Sequence, residues 1–143
     1  MDEIVRVSTC FVCGDKNPHG LKAKFFWDGK NASTETLAIE QFEGYKGIYH
    51  GGIIATLLDE AMVKAILATR HYAVTAEITV RFLQPLRTGT RFRCVGRIVE
   101  HKGRLFHTTA EAIGENGTVY ARAEARFLGG KAELTNELKS SME

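Results

Sequence analysis

Four segments of apolar–polar alternation follow one another in the second half of this chain, joined by turns too short for a crossover. Val74, Ala76, Ile78, Val80 and Phe82 alternate with Thr75, Glu77, Thr79 and Arg81, giving an extended strand one apolar face. Pro85 and Gly89 bracket a turn. Phe92, Cys94, Gly96 and Ile98 then alternate with Arg91, Arg93 and Arg97. Lys102-Gly103 turns the chain into a strand near Arg104 to Ile113. Asn116-Gly117 is a hairpin signal, leading into Val119, Ala121, Ala123, Ala125 and Phe127 against Tyr120, Arg122, Glu124 and Arg126. Strands connected so closely must be largely antiparallel, because parallel neighbours need a long crossover.

Ahead of these strands lies the longest apolar-rich segment, Gly51 to Ala68. Ile53, Ile54, Leu57, Leu58, Ala61, Met62, Ala65 and Ile66 recur there at helical spacing, over an arc wide enough that most of the circumference must be buried. Asp59, Glu60 and Lys64 interrupt it, which marks a buried helix and not a membrane span. Leu21 to Trp27 and Thr34 to Phe42 read as a hairpin across Asp28-Gly29-Lys30-Asn31, and Ala132 to Lys139 as a short helix. The pattern predicts a layered α+β domain, about six antiparallel strands wrapped around one long helix. With 143 residues, 44% of them apolar, the chain suits a single domain over 1–143, with its core at about 10–128 and a polar tail from 129 to 143. A net charge of +2 and sparse aromatic interleaving point away from nucleic acid. The N-terminus carries no basic-then-apolar leader and the cysteine count is odd, so the expected compartment is the cytoplasm, without a disulfide framework.

Chemistry concentrates in Tyr49-His50-Gly51-Gly52-Ile53-Ile54-Ala55-Thr56-Leu57-Leu58-Asp59-Glu60-Ala61. Two glycines opening a helix leave backbone N–H groups bare, able to bind a phosphate or an oxyanion forming on a carbonyl. Farther along sits a carboxylate on an otherwise apolar helix, costly to bury unless it is paired, hydrogen-bonded or facing a cavity. Donors and carboxylate together are the parts that acyl transfer to water requires.

This segment resembles the His-Gly-Gly…Asp signature of the hotdog-fold thioesterases, the PaaI-like, 4-hydroxybenzoyl-CoA thioesterase-like and acyl-CoA thioesterase families. Thr75-Ala76-Glu77-Ile78-Thr79-Val80-Arg81-Phe82-Leu83-Gln84-Pro85 is similar to the family's central strand. Cys10-Phe11-Val12-Cys13-Gly14 followed by Asn17-Pro18-His19-Gly20-Leu21 is similar to the start of one bacterial subgroup. The resemblance spans roughly residues 10 to 128. It implies a hotdog fold and hydrolysis of an acyl-CoA to free acid and thiol, with no cofactor beyond the coenzyme A of the substrate. It assigns Asp59 as base or nucleophile, Gly51 as the oxyanion-hole amide, His50 as the residue that orients the Gly51 turn or contacts substrate, and Thr75 as a hydroxyl that helps position water. Gly52 and Thr56 in the same segment, and Gln84 before Pro85, become candidates for substrate contact. PaaI-like members often carry an asparagine six residues before the histidine, where this chain has Gly44. That departure favours the branch using the His, Asp and Thr set.

Gly51 and Asp59 are eight residues apart, about 12 Å along a helix. One scissile carbonyl does not readily reach both, so the expected site joins Gly51 of one subunit to Asp59 of another in a homodimer or a dimer of dimers. The acyl chain is expected in an apolar pocket shaped partly by Met62. Glu60, turned about 100° from Asp59, is expected at solvent or in a salt bridge. Cys10-x2-Cys13 with His19 is half of a zinc pattern, but Cys94 lies mid-strand and no second half follows, so no metal is expected. Arg81, Arg91, Arg93, Arg97, Arg122 and Arg126 read as a solvated outer sheet face, with Lys102 and Arg104 as further candidates for the coenzyme A phosphates. Phe25, Phe26, Trp27 and Tyr45 read as core or acyl-pocket lining. The rivals are a non-catalytic acyl-CoA binding domain and an enoyl-CoA hydratase or dehydratase of the same fold.

Overall fold

The structure is a computed structural model that describes residues 1–142. Its strands are β1 (Asp2–Glu3), β2 (Phe26–Trp27), β3 (Ala32–Leu37), β4 (Ala73–Phe82), β5 (Arg91–Lys102), β6 (Leu105–Gly114) and β7 (Val119–Gly129). Two helices accompany them, α1 (Gly51–Ala68) and α2 (Ala132–Ser140), with a short 3-10 turn at Glu40–Phe42. All seven strands form one antiparallel sheet in the order β1-β2-β3-β5-β6-β7-β4, wrapped around α1. This is the hotdog architecture. No helix among the described residues is long and apolar enough to cross a membrane.

The core lies between the concave sheet face and α1. Ile54, Leu57, Leu58, Ala61, Met62, Ala65 and Ile66 of the helix meet Phe92, Cys94, Phe106, Ala110, Ala112, Ala121, Ala123, Ala125 and Phe127 of the strands. Burying each phenylalanine contributes roughly 1.5–3 kcal/mol. The small residues let helix and sheet approach closely. Gly96 is the tightest point, since a Cβ there would stand 2.5 Å from the backbone of Ala61.

The amino-terminal hairpin is shorter than its sequence suggests. Asp28 accepts from the N–H groups of Lys30 and Asn31 and closes the turn, but the paired strands extend only over Phe26–Trp27 and Ala32–Leu37. Past Leu37 the chain leaves the sheet for the 3-10 turn. Residues 4–25 cross the core largely without strand structure, yet Ile4, Val12, Ala23 and Phe25 are buried in it. Tyr45 is not core: it stands 85% exposed. Met62 is wholly enclosed in the packed core and borders none of the surface grooves described below.

β4 departs from its sequence pattern in a way that matters for the site. Thr75 pairs with Phe127 and Glu77 with Arg126, leaving Ala76 as the extra residue of a β-bulge. Paired residues share a face, so Ile78, Val80 and Phe82 stay on the helix side, opposite Ala125, Ala123 and Ala121. Before the bulge the parity is reversed. Thr75 joins the helix side and Val74 turns outward. β4 is also an edge strand, and Val74, Ile78 and Phe82 on it are exposed.

Candidate functional site

His50 caps α1, its Nδ1 accepting from the Gly52 N–H at 2.8 Å. A Cβ at Gly52 would lie 3.0 Å from the His50 ring, so the cap depends on that glycine. An accepting Nδ1 places the ring proton on Nε2. The cap separates the two glycine amides: the Gly52 N–H is occupied, while the Gly51 N–H has no acceptor among the described residues. Gly51 opens onto two grooves. One, of about 540 Å³, is lined by Glu43, Gly44, Tyr45, Ile48, Tyr49 and His50. The other, of about 330 Å³, is bounded by Phe82, Leu83, Gln84, Pro85 and Leu86. Gln84 is thereby brought to Gly51. A Cβ at Gly44 would stand 3.3 Å from the His50 ring, so a larger residue there would crowd the cap.

Asp59 lies two turns along α1, partly buried. The Thr75 hydroxyl donates to its Oδ1 at 2.7 Å, and Oδ2 has no partner among the described residues. Burial holds the Asp59 carboxyl above its ordinary pKa, opposed by the Thr75 hydrogen bond. A carboxylate with one oxygen anchored, the other free and its basicity raised can accept a proton from a bound water.

The remaining candidates divide. Thr56 donates its hydroxyl proton back to the Gly52 carbonyl at 2.8 Å, so it is occupied within the helix. Lys102 and Arg104 flank the β5–β6 turn. His101, beside Lys102, packs on His71, just past the carboxyl end of α1, so within one chain this basic pair stands away from Gly51. Lys102 also pairs with Glu100 at 3.6 Å. The six arginines are all exposed, with Arg122 on Glu111 at 2.9 Å and Arg126 near Glu77 at 3.7 Å, as a solvated outer sheet face requires.

Cysteines and a carboxylate meet on another side of α1. Cys10 Sγ, Cys13 Sγ and a Glu60 oxygen lie within 4.8 Å of one another. Glu60 points inward, not to solvent, and the Nζ of buried Lys64 stands 3.9 Å from it. The Cys10 thiol is lowered to about 5, first by a hydrogen bond from Cys13, whose own thiol is raised by the same bond. Burial pushes Glu60 up to about 7. Sequence reading found the cysteine pair but not its third member, forty-seven residues beyond Cys13. The signal available was Glu60 four residues before Lys64 in an apolar helix.

A family model described as the thioesterase superfamily matches residues 46–121, more than half of the chain. An uncharacterized protein of Schizosaccharomyces pombe is 30% identical over 77 residues, 52% of this chain and 44% of that protein, so the match spans less than half of the relative's length. The crystal structure of a thioesterase superfamily protein superposes with a TM-score of 0.80 at 18% identity, covering 90% of this chain and 67% of that one. A Streptococcus mutans UA159 protein bound to acetyl CoA gives a TM-score of 0.70 at 20% identity, covering 74% and 86%. At these identities the likeness of the solved structures is one of fold.

Proposed function

We propose, because the chain belongs to the thioesterase superfamily, that it hydrolyses an acyl-coenzyme A thioester to the free acid and coenzyme A. The observation that carries this reading is the Asp59 carboxylate, held by Thr75 at 2.7 Å on the same helix whose first amide is uncommitted. Acetyl CoA on a protein of the same fold supports an acyl-CoA as the substrate class.

In this reading Asp59 takes a proton from water as the water oxygen bonds to the thioester carbon. The carbonyl oxygen becomes an oxyanion, held by the Gly51 N–H at the positive end of α1. Collapse breaks the carbon–sulfur bond, and the departing thiolate takes the proton from Asp59. Gly51 and Asp59 are separated by about 12 Å along α1, so the Gly51 amide comes from a second copy of the chain. The exposed edge of β4, with unpaired backbone groups and apolar side chains, is a suitable surface for that copy. Gln84, bordering the Gly51 groove, contacts the substrate there.

The test is free-thiol release from a panel of short, long and aromatic acyl-CoAs by wild type and Asp59→Asn, with the mass of each in solution measured in parallel. Release by wild-type dimers or tetramers, lost in dimeric Asp59→Asn, is the expected result. Tight binding without release would replace the reading with a non-catalytic acyl-CoA binding domain. Loss of the double bond of an enoyl-CoA without thiol release would replace it with a hydratase.

A further inference from the structure

Residues 8–14 fold into a tight turn whose two cysteines face α1. The N–H groups of Val12 and Cys13 both donate to Cys10 Sγ, at 3.3 and 3.5 Å, and the Gly14 N–H donates to the Cys10 carbonyl at 2.9 Å. Gly14 is required for this turn, because a Cβ there would stand 2.4 Å from the Ser8 carbonyl oxygen and 2.5 Å from the Cys10 nitrogen. Two amides directed at one sulfur stabilise it as a thiolate. The turn presents its sulfurs to Glu60, one of whose oxygens lies 3.8 Å from Cys10 Sγ.

The 3.8 Å between Cys10 Sγ and Glu60 is close to one edge of a coordination tetrahedron. With zinc–sulfur bonds of about 2.3 Å and zinc–oxygen bonds of about 2.0–2.2 Å, tetrahedral geometry puts donor atoms roughly 3.5–3.8 Å apart. All three donors here lie within 4.8 Å of one another, so small side-chain rotations bring them onto one ion. Charge balance points the same way. Two thiolates and a carboxylate carry one negative charge more than a divalent cation neutralises, and the Lys64 ammonium supplies the missing positive charge from 3.9 Å. Lys64 is only 1% exposed and also donates to the Val5 carbonyl, so this charge is fixed inside the fold. A cavity of about 180 Å³ adjoins the cluster, lined in part by Val7, Leu67, Tyr72 and Leu138, with room for a water as fourth ligand.

We propose that Cys10, Cys13 and Glu60 form a three-ligand site for a borderline-soft divalent cation, zinc by its donor set, with water in the fourth position, that staples the amino-terminal segment to α1. Binding displaces any remaining thiol and carboxyl protons to solvent. The site is independent of the reaction assigned to Asp59, since its ligands leave both Asp59 and Thr75 untouched.

The full-length chain is purified reduced, freed of loosely held metal with a weak chelator, and assayed for zinc. The metal-free chain is then titrated with cobalt(II) and its thiolate-to-cobalt charge-transfer absorption recorded. About one zinc per chain and a tetrahedral cobalt spectrum are expected, with charge-transfer intensity falling by about half in Cys10→Ser and in Cys13→Ser but not in Cys94→Ser. Glu60→Gln weakens cobalt affinity while keeping the thiolate bands. A readout free of any folding defect in the variants comes from wild type alone, in which zinc should protect Cys10 from alkylation. Absence of zinc and of the cobalt bands in wild type, or a Cys10–Cys13 disulfide in place of metal, overturns the proposal. So does a charge-transfer band that neither cysteine substitution changes.

Discussion

Thr75 reaches the Asp59 carboxylate at 2.7 Å because the strand that carries it is bulged at the very next residue, Ala76. A regular strand would turn the Thr75 hydroxyl to the outer face, beside Glu77. The hydrogen bond and the backbone irregularity are therefore one feature, and both can be tested.

The Thr75 bond lowers the pKa of Asp59 against the burial that raises it. Thr75→Val removes the lowering contribution, so the Asp59 pKa rises further. A general base acts only when ionised, hence the acid limb of the kcat/KM profile should move to higher pH. A hydrogen bond to a charged group is worth about 1.5–3 kcal/mol, so plateau activity should fall roughly tenfold to a hundredfold. An acid limb that stays in place would show that the titrating base is not Asp59.

Deletion of Ala76 joins Thr75 directly to Glu77 and makes the ladder regular with Thr75 still opposite Phe127 on the helix side, so activity should fall by less than in Thr75→Val. Circular dichroism checks that the sheet persists. Turnover reduced to the level of Thr75→Val in a folded deletion variant would show that the register alone does not aim the hydroxyl and that the bulge itself does.

Asp59→Asn should also stabilise the fold at neutral pH. A carboxyl whose folded-state pKa is raised contributes stability below its unfolded pKa, and that contribution is lost as pH rises through the folded value. At pH 7 the wild type bears that cost, and the amide does not. Urea denaturation at pH 4 and pH 7 should show a shallower pH dependence in the variant.

His50→Ala leaves the Gly52 N–H without its acceptor, and loss of a helix cap costs about 1 kcal/mol. His50→Asn, which retains a capping oxygen, should recover most of it. Equal urea midpoints for wild type and the alanine variant would mean that His50 is not a cap.

Gly96→Ala places a methyl 2.5 Å from the Ala61 backbone, so α1 must shift away from β5. Overpacking of this kind costs roughly 1–3 kcal/mol, readable as a lowered Tm, with buried Cys94 becoming accessible to thiol reagents.

The elements that obey a simple period were legible before any coordinates. α1 begins and ends at Gly51 and Ala68 as its apolar spacing suggests, β6 keeps its alternation, and β5 and β7 keep theirs over Arg91 to Ile98 and Ala121 to Phe127, with bulges at Val99 and Tyr120. What escaped was set by contacts distant in sequence. Alternation alone puts Thr75 with Glu77, and only the pairing with β7 reveals the bulge. Rotation about α1 separates Glu60 from Asp59, but nothing local says that the turn at Cys10 will come to meet it. Tyr45 reads equally as core or as pocket lining, and only the loop ahead of α1 decides: Tyr45 stands 85% exposed and borders the groove at Gly51.

β3 pairs with β5 through six residues, Ala32 to Leu37, and lies outside the stretch that the family model matches. A boundary drawn from similarity is therefore not a boundary of folding. A chain cut back to residues 46–121 would strip β5 of β3 on one side and, keeping only Val119 to Ala121 of β7, would part β4 from β6 on the other, baring new adhesive margins. It would also uncover the apolar surface that Ile4, Val12 and Phe25 close. Such a fragment would assemble through the wrong edge, and inactivity measured on it would say nothing about Asp59.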